Sequence, residues 1–166
     1  NPNIEDNKSM SPLHWICYLK HEHSLDIIEL LLNNGANVNT KNYRGITPIF
    51  QAALSGNIEI VKRLKERNAR VDIEDNNGET PLYHAIREGH IEIVRFFLEL
   101  YGDISNTFNN NGISPLHFAV LEGSSAGIIE LLLSSPNIDI NQLDIDGQTP
   151  LYHAIRRGDI GMINFL

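Results

Sequence analysis

One short phrase occurs five times in this chain, and its spacing constrains the fold more than any other feature. The copies are residues 11–14 (SPLH), 47–50 (TPIF), 80–83 (TPLY), 114–117 (SPLH) and 149–152 (TPLY). Their prolines lie 36, 33, 34 and 35 residues apart along the chain. Because a unit of this length cannot bury a core by itself, successive units must stack on one another. The sequence therefore predicts an elongated array with one face repeated from unit to unit.

The second unit shows most clearly what each repeat folds into. Thr47 is suited to cap a helix N-terminus, and Pro48 fits the first helical position, where its missing N–H costs nothing. Gly56 supplies the left-handed residue that ends this helix. A second amphipathic helix follows from Asn57, with apolar residues at helical spacing as far as Leu64. The unit is therefore predicted to be a pair of antiparallel helices.

A short segment leads from each helix pair to the next phrase. In the second unit, residues 69–73 alternate between apolar and polar, and residues 75–78 (DNNG) have the turn chemistry for positive φ. The expected fold class is an all-α repeat solenoid whose helix pairs are joined by short β-hairpin-like fingers.

These features resemble the ankyrin repeat, whose signature has a Thr-Pro-Leu-His start, a Gly between its helices, a Leu-Leu pair and a Gly-Ala-x-Val-Asn exit. Residues 31–39 (LLNNGANVN) match the exit, and residues 89–94 (GHIEIV) match the junction between the helices. Five copies in phase make a chance match implausible, and they cover essentially the whole chain. The resemblance implies an L-shaped stack of helix pairs with fingers projecting to one side, used to bind other proteins.

The repeat spacing predicts one continuous array without a linker. Residues 1–10 read as the end of a preceding repeat, followed by repeats at 11–45, 46–78, 79–112 and 113–147 and a truncated repeat at 148–166. Since both ends fall inside a repeat, we expect a monomeric fragment of a longer protein.

Composition narrows the class of partner. A net charge of −8 over 166 residues disfavours nucleic acid and tilts towards a protein partner with a basic segment. The single cysteine, Cys17, excludes a disulfide framework and is interpreted as a buried packing thiol. No apolar run approaches the length of a bilayer span and no signal peptide precedes the first repeat. We therefore expect no membrane contact within this segment and a cytoplasmic or nuclear location.

The sequence predicts no catalysis, no cofactor and no metal. His14 and His117 occupy the histidine position of the resembled family, which implies a structural role. Residues 21–23 (HEH) place two histidines two positions apart with no third ligand nearby. Residues around 144–147 imitate part of a calcium loop, but Gln142 and His153 stand at its first and last ligand positions, where the last requires a bidentate Glu.

The resemblance also implies where a partner binds. In ankyrin-like arrays the finger tips and the exposed ends of the first helices line the concave side. Apolar and aromatic residues aligned there across several units mark an interface. The predicted partner-binding residues are Tyr18, Tyr43, Arg44, Ile46, Leu54, Arg87, Glu88, Ile113, Leu121, Glu122, Ile145, Arg156 and Arg157.

Two functional alternatives stay open. The array is either an interaction scaffold or a regulatory or substrate-recruiting segment of a larger enzyme or membrane protein that senses a peptide or a small ligand. On the opposite side, a basic cluster in the second unit is either a solvated face or a binding patch. Its members are Lys62, Arg63, Lys65, Arg67 and Arg70.

Asn39 and Asn141 are candidate modification sites. Each follows an apolar residue at the exit of a repeat, a context that resembles the one accepted by the asparaginyl hydroxylase of ankyrin repeats. The alternative is an asparagine that simply bonds the finger backbone.

Overall fold

The computed structural model describes residues 1–19, 21–104 and 107–166, which contain ten helices and no strand. The helices are α1 (Pro12–Tyr18), α2 (Ser24–Asn33), α3 (Pro48–Ser55), α4 (Ile58–Glu66), α5 (Pro81–Arg87), α6 (Ile91–Tyr101), α7 (Pro115–Glu122), α8 (Ala126–Leu133), α9 (Pro150–Arg157) and α10 (Ile160–Phe165). The all-α repeat stack predicted from the sequence is confirmed. Each predicted interval from 11–45 onwards holds one helix pair, although 11–45 and 79–112 also include residues outside the described ranges.

The helices stack in two layers. The first helices of the pairs pack in the order α1, α3, α5, α7 and α9, and the second helices pack in the order α2, α4, α6, α8 and α10. The Leu or Ile of the repeated phrase is fully buried in the first four units, as Leu13, Ile49, Leu82 and Leu116. The core is therefore continuous along the array, and each unit buries its apolar residues against the neighbouring units.

The helix ends follow the sequence prediction with one exception. Gly56 ends α3 in the left-handed conformation at φ +78°, and the Asn57 side chain accepts a hydrogen bond from the Ile60 amide to start α4. Thr47 stands at the N-cap of α3, but its hydroxyl is buried and makes no capping hydrogen bond. The prediction that the Thr47 hydroxyl caps the helix is therefore wrong, although Thr47 does hold the N-cap position. The fixed φ of Pro48 favours the helix start instead.

The fingers are tight turns rather than strand pairs. In the finger at residues 75–79, the Asp75 amide donates to the Glu79 carbonyl at 2.9 Å. The Asp75 carboxylate also accepts from the Asn77 and Glu79 amides, at 2.8 and 3.0 Å. Because the side chain takes up amides that a ladder would pair, the turn closes after five residues. The same arrangement holds at 6–10, 42–46, 109–113 and 144–148.

Two histidines connect neighbouring units. His14 Nε2 lies 2.9 Å from the Ile46 carbonyl, and His117 Nε2 lies 3.0 Å from the Gln148 carbonyl, so each imidazole donates to the next finger. Burial lowers the pKa of both rings despite these bonds, which favours the neutral form. These contacts agree with the structural role predicted for both residues. Cys17 is buried as predicted, and burial raises the pKa of its thiol.

Candidate functional site

The predicted binding residues lie at different depths. Tyr18, Tyr43, Arg44, Arg87, Glu88, Glu122, Ile145, Arg156 and Arg157 are exposed, while Leu54, Ile113 and Leu121 are partly buried. Ile46 is buried, so the expectation that it faces solvent is wrong. Its amide and carbonyl close the finger with Asn42, and its carbonyl also accepts from His14, which turns the side chain into the stack.

A groove of about 380 Å³ brings six of the predicted residues together. It lies between the fingers at 6–10 and 42–46 and the helices α1, α3 and α5, and we call it the finger groove. The predicted residues that line it are Tyr18, Tyr43, Arg44, Ile46, Leu54 and Arg87. Its volume is within the range of ligand-binding clefts.

Two important residues of the finger groove, Lys8 and Trp15, are not among those predicted from the sequence. Trp15 directly follows the repeated phrase at residues 11–14. The equivalent position in units three and five, directly after residues 80–83 and 149–152, holds His84 and His153. The Trp15 indole N–H donates to the Asp6 carboxylate of the preceding finger at 3.1 Å. The recurrence of an N–H side chain nine residues after a finger Asp is a signal in the sequence that could have identified this pair.

Helices α5 and α9 make the same kind of bond to the finger that precedes each of them. His84 Nε2 lies 3.2 Å from an Asp75 carboxylate oxygen, and His153 Nε2 lies 2.8 Å from one of Asp144. Burial alone would raise the pKa of both aspartates. The bonds from these histidines and from finger amides outweigh it and hold the pKa of each below its usual value.

The walls of the finger groove are aromatic and its floor is apolar. The exposed fractions of Trp15, Tyr18 and Tyr43 are 42%, 49% and 60%. Met10 and Phe50, which also line the groove, are buried. Large exposed rings around a buried apolar floor are the arrangement found at energetic centres of protein interfaces.

The electrostatics of the finger groove differ from those of the whole chain. No Asp or Glu is among its lining residues, while Lys8, Arg44 and Arg87 are. Within the described residues, no carboxylate lies within 4.0 Å of the charged nitrogens of Lys8 or Arg44. The groove therefore has cationic and no anionic lining residues although the chain has a net charge of −8, with the nearby Asp6 carboxylate of the first finger interacting electrostatically with Lys8.

At one end of the finger groove, Arg87 belongs to an ion-pair network. Its guanidinium donates to both Glu79 carboxylate oxygens, at 3.1 and 2.9 Å. Ligand atoms of Asp75, Glu79 and His84 lie within 4.8 Å of one another, the only such grouping of three or more within the described ranges. Because the Arg87 guanidinium already binds the Glu79 carboxylate, it supplies the positive charge of this cluster. The same bonds hold the guanidinium beside the groove.

The basic cluster on the other side is largely paired. Arg63 and Arg67 both bond Glu29 of α2, and Arg63 Nη1 lies 2.9 Å from its carboxylate. Lys62 pairs with Glu59 and Arg70 with Asp72. The bonds of Arg63 and Arg67 tie α4 to α2, and all these pairs together neutralise most of the positive charge, which favours the solvated-face interpretation.

The two exit asparagines have different surroundings. The Asn39 side chain donates to the Asn68 carbonyl at 3.2 Å and accepts from the Arg70 amide at 2.8 Å, so it bridges two units. Asn141 is exposed, and in the part of the chain that the structure describes its side chain makes no hydrogen bond. The geometry supports a structural role for Asn39 and leaves the Asn141 amide available.

Comparison with known proteins agrees with this architecture. The family model for ankyrin repeats matches in three overlapping copies, over residues 13–107, 49–144 and 100–166. The chain belongs to the ankyrin-repeat family, as the resemblance predicted.

One curated relative adds to the family match. The chain is similar to alpha-latrotoxin-Lg1a of Latrodectus geometricus, with 37% identity over 75 residues, which is 42% of this chain and 6% of the toxin. Because so little of the toxin is matched, the similarity supports the repeat architecture alone. Among the described helices, none combines the length and the hydropathy that crossing a bilayer requires.

Proposed function

We propose that this chain is a protein–protein interaction module that holds its partner along the face built from the finger tips and the adjoining ends of the first helices. Ankyrin repeats generally mediate protein–protein interaction and are typically non-catalytic. The observation that carries the proposal is the finger groove, where six residues predicted from the sequence surround one cleft. Three exposed aromatic rings in one cleft are far more than scattered surface apolar residues would provide.

The module also suits a recruiting segment of a larger protein. The similar toxin is matched over only 6% of its length, so the matched stretch there is a small part of a much longer chain. In that setting the same face recruits the partner and any further activity belongs to other parts of the protein. A cytoplasmic or nuclear location, expected from the sequence, remains part of the proposal.

Site-specific photocrosslinking tests the choice of face. A photoreactive amino acid is introduced at Tyr43, at Leu121 or, as the control on the other side, at Lys62, and each variant is irradiated in lysate of the source cells. We expect protein adducts from Tyr43 and Leu121 that an excess of unmodified chain suppresses. Adducts from Lys62 alone would show that the back of the array is the binding face. Circular dichroism confirms that each variant is folded.

A further inference from the structure

We infer that the finger groove binds an acidic peptide segment of the partner that carries an aromatic or aliphatic side chain next to its carboxylates. The inference rests on the proposed function and specifies the chemistry of the partner at one end of the array. It also differs from the expectation based on net charge, which favours a basic partner.

Charge along the finger tips supports the inference. The third residue of each finger is Lys8, Arg44, Asn77, Asn111 and Asp146 in chain order. The tips are therefore positive in the first two fingers, neutral in the next two and negative in the last. Among the described fingers only these first two tips line the groove, and neither charge forms an ion pair within 4.0 Å. A partner with positive charge is repelled there, whereas carboxylates gain both attraction and faster association.

The backbone that carries the two cations is fixed by the turns themselves. The Lys8 amide donates to Asp6 at 2.7 Å, and the Arg44 amide donates to Asn42 at 2.9 Å, so both tips are fixed by side chains of their own turns. The Tyr43 amide also donates to the Lys8 carbonyl at 3.3 Å, which joins the two fingers. A backbone held in this way lowers the conformational entropy that the two fingertips lose on binding.

The apolar part of the ligand follows from the remaining surfaces. Tyr18 and Tyr43 are exposed around the buried side chains of Met10 and Phe50. Trp15 is held in place by its bond to Asp6. A carboxylate alone would leave these rings in water, whereas an adjacent aromatic or aliphatic side chain would cover them. The groove therefore matches a segment with both kinds of side chain.

Selection from a random peptide library tests this chemistry even while the partner is unidentified. A phage-displayed library of twelve-residue peptides is panned against the immobilised chain, and the most enriched peptide is synthesised with a fluorophore for anisotropy titration. We expect enriched sequences in which Asp or Glu stands beside Phe, Tyr, Trp or Leu. We also expect weaker binding as the salt concentration rises, since the tip charges are exposed.

Matched variants locate the bound peptide. Because opposite charges are replaced by like ones, the double variant Lys8→Glu/Arg44→Glu should lose about 10-fold or more in affinity. Asn77→Glu, the same change at the equivalent tip outside the groove, should lose less than about 2-fold. The double variant Lys8→Gln/Arg44→Gln should lie between them, which separates lost attraction from added repulsion. Circular dichroism checks the fold of each.

Each contrary outcome has a distinct meaning. Enrichment of basic peptides, or of peptides that bind the double Glu variant as well as the unaltered chain, overturns the inference. If such peptides instead lose affinity with Leu121→Ala or Ile145→Ala, the proposed function stands and only the groove assignment falls. A library that yields no binder also overturns the inference, while the crosslinking experiment still decides the proposed function separately.

Discussion

Residues 80–87 and 149–156 have the same eight-letter sequence, TPLYHAIR, and both form the start of a first helix, yet their surroundings differ. In unit three, Leu82, Tyr83 and Ile86 are buried. Their counterparts in unit five, Leu151, Tyr152 and Ile155, are 37%, 45% and 59% exposed. Local sequence sets the helix in both places, and the neighbouring unit decides what the helix buries.

The stacking order explains the difference. Helix α5 packs between α3 and α7, whereas α9 packs against α7 and α10 in the described chain. The histidines of the two octapeptides are exceptions, because His84 and His153 are both buried and both bond the Asp of the finger that precedes their helix. The two copies therefore share the bond between helix and preceding finger, and they differ in the packing of the first helix against its neighbours.

The largest expected effect comes from truncating the shared leucine. Leu82→Ala should lower the free energy of unfolding by about 2–5 kcal/mol, because it removes buried contacts and leaves a cavity. Leu151→Ala should cost less than about 1 kcal/mol, since part of its surface is already in water. Urea denaturation of the two variants measures the difference.

A positive control belongs to the same experiment. Leu132 in α8 is fully buried, so Leu132→Ala should cost about as much as Leu82→Ala, roughly 2–5 kcal/mol. Equal midpoints for Leu82→Ala and Leu151→Ala would show that the neighbouring unit does not determine burial.

The shared tyrosine gives a smaller effect of the same kind. The Tyr83 hydroxyl donates towards the Thr107 and Ile113 carbonyls, at 3.0 and 2.7 Å. The Tyr152 hydroxyl makes no hydrogen bond within the described residues. Tyr83→Phe should therefore cost about 1–2 kcal/mol and Tyr152→Phe close to zero. Thermal denaturation of both compares them, and a cost at Tyr152 as large as at Tyr83 would contradict this account.

Acid unfolding tests the histidine–aspartate bond that the two octapeptides share. The folded-state pKa values of Asp75 and Asp144 lie below the ordinary 3.8, so each carboxylate stabilises the fold above that pH. This stability is lost as the pH falls from about 3.8 through the folded-state pKa. Asp75→Asn and Asp144→Asn should each make stability less dependent on pH in that range.

The chain contains its own control for these substitutions. Asn42 and Asn109 hold the same finger position and still accept the two turn amides, so the Asn variants should keep the turn. Urea midpoints measured from pH 7 down to about pH 2, which covers the range in which the two carboxylates take up protons, decide the matter. If the urea midpoint of either variant falls with decreasing pH as steeply as that of the unaltered chain, the role given to that carboxylate is contradicted.

The architecture is predictable from the sequence because the signals for it are local. The phrase with its proline, the left-handed Gly56 and the apolar spacing up to Leu64 each act within a few residues, and they fix the helix pairs. Side-chain direction at the fingers is harder to predict. The repeat pattern puts Ile46 at the surface, whereas its burial depends on a bond from His14 of the preceding unit.

The same reason explains why two groove residues are absent from the sequence prediction. The repeat pattern places Lys8 only at the end of a preceding repeat, and its position beside Arg44 follows from the backbone bond that joins two fingers. The partner of Trp15, Asp6, lies nine residues away in a turn whose geometry the sequence does not state. Contacts that depend on the relative position of finger and helix are set by the fold, and residue periodicity alone does not reveal them.

The smallest expected effect concerns the exit asparagines, where the contribution of a neighbouring unit can be tested again. Asn39→Ala should cost about 1 kcal/mol, because it breaks two bonds to the backbone of the next unit, whereas Asn141→Ala should cost less than about 0.5 kcal/mol. If an asparaginyl hydroxylase of ankyrin repeats acts on this chain, Asn141 should be modified faster than Asn39. The Asn39 side chain must first break its hydrogen bonds to the backbone of Asn68 and Arg70. Intact-mass analysis and peptide mapping after incubation with such an enzyme measure both rates. Faster modification at Asn39 would show that the bridge between units does not protect it, and absence of added oxygen at both positions would end the modification hypothesis.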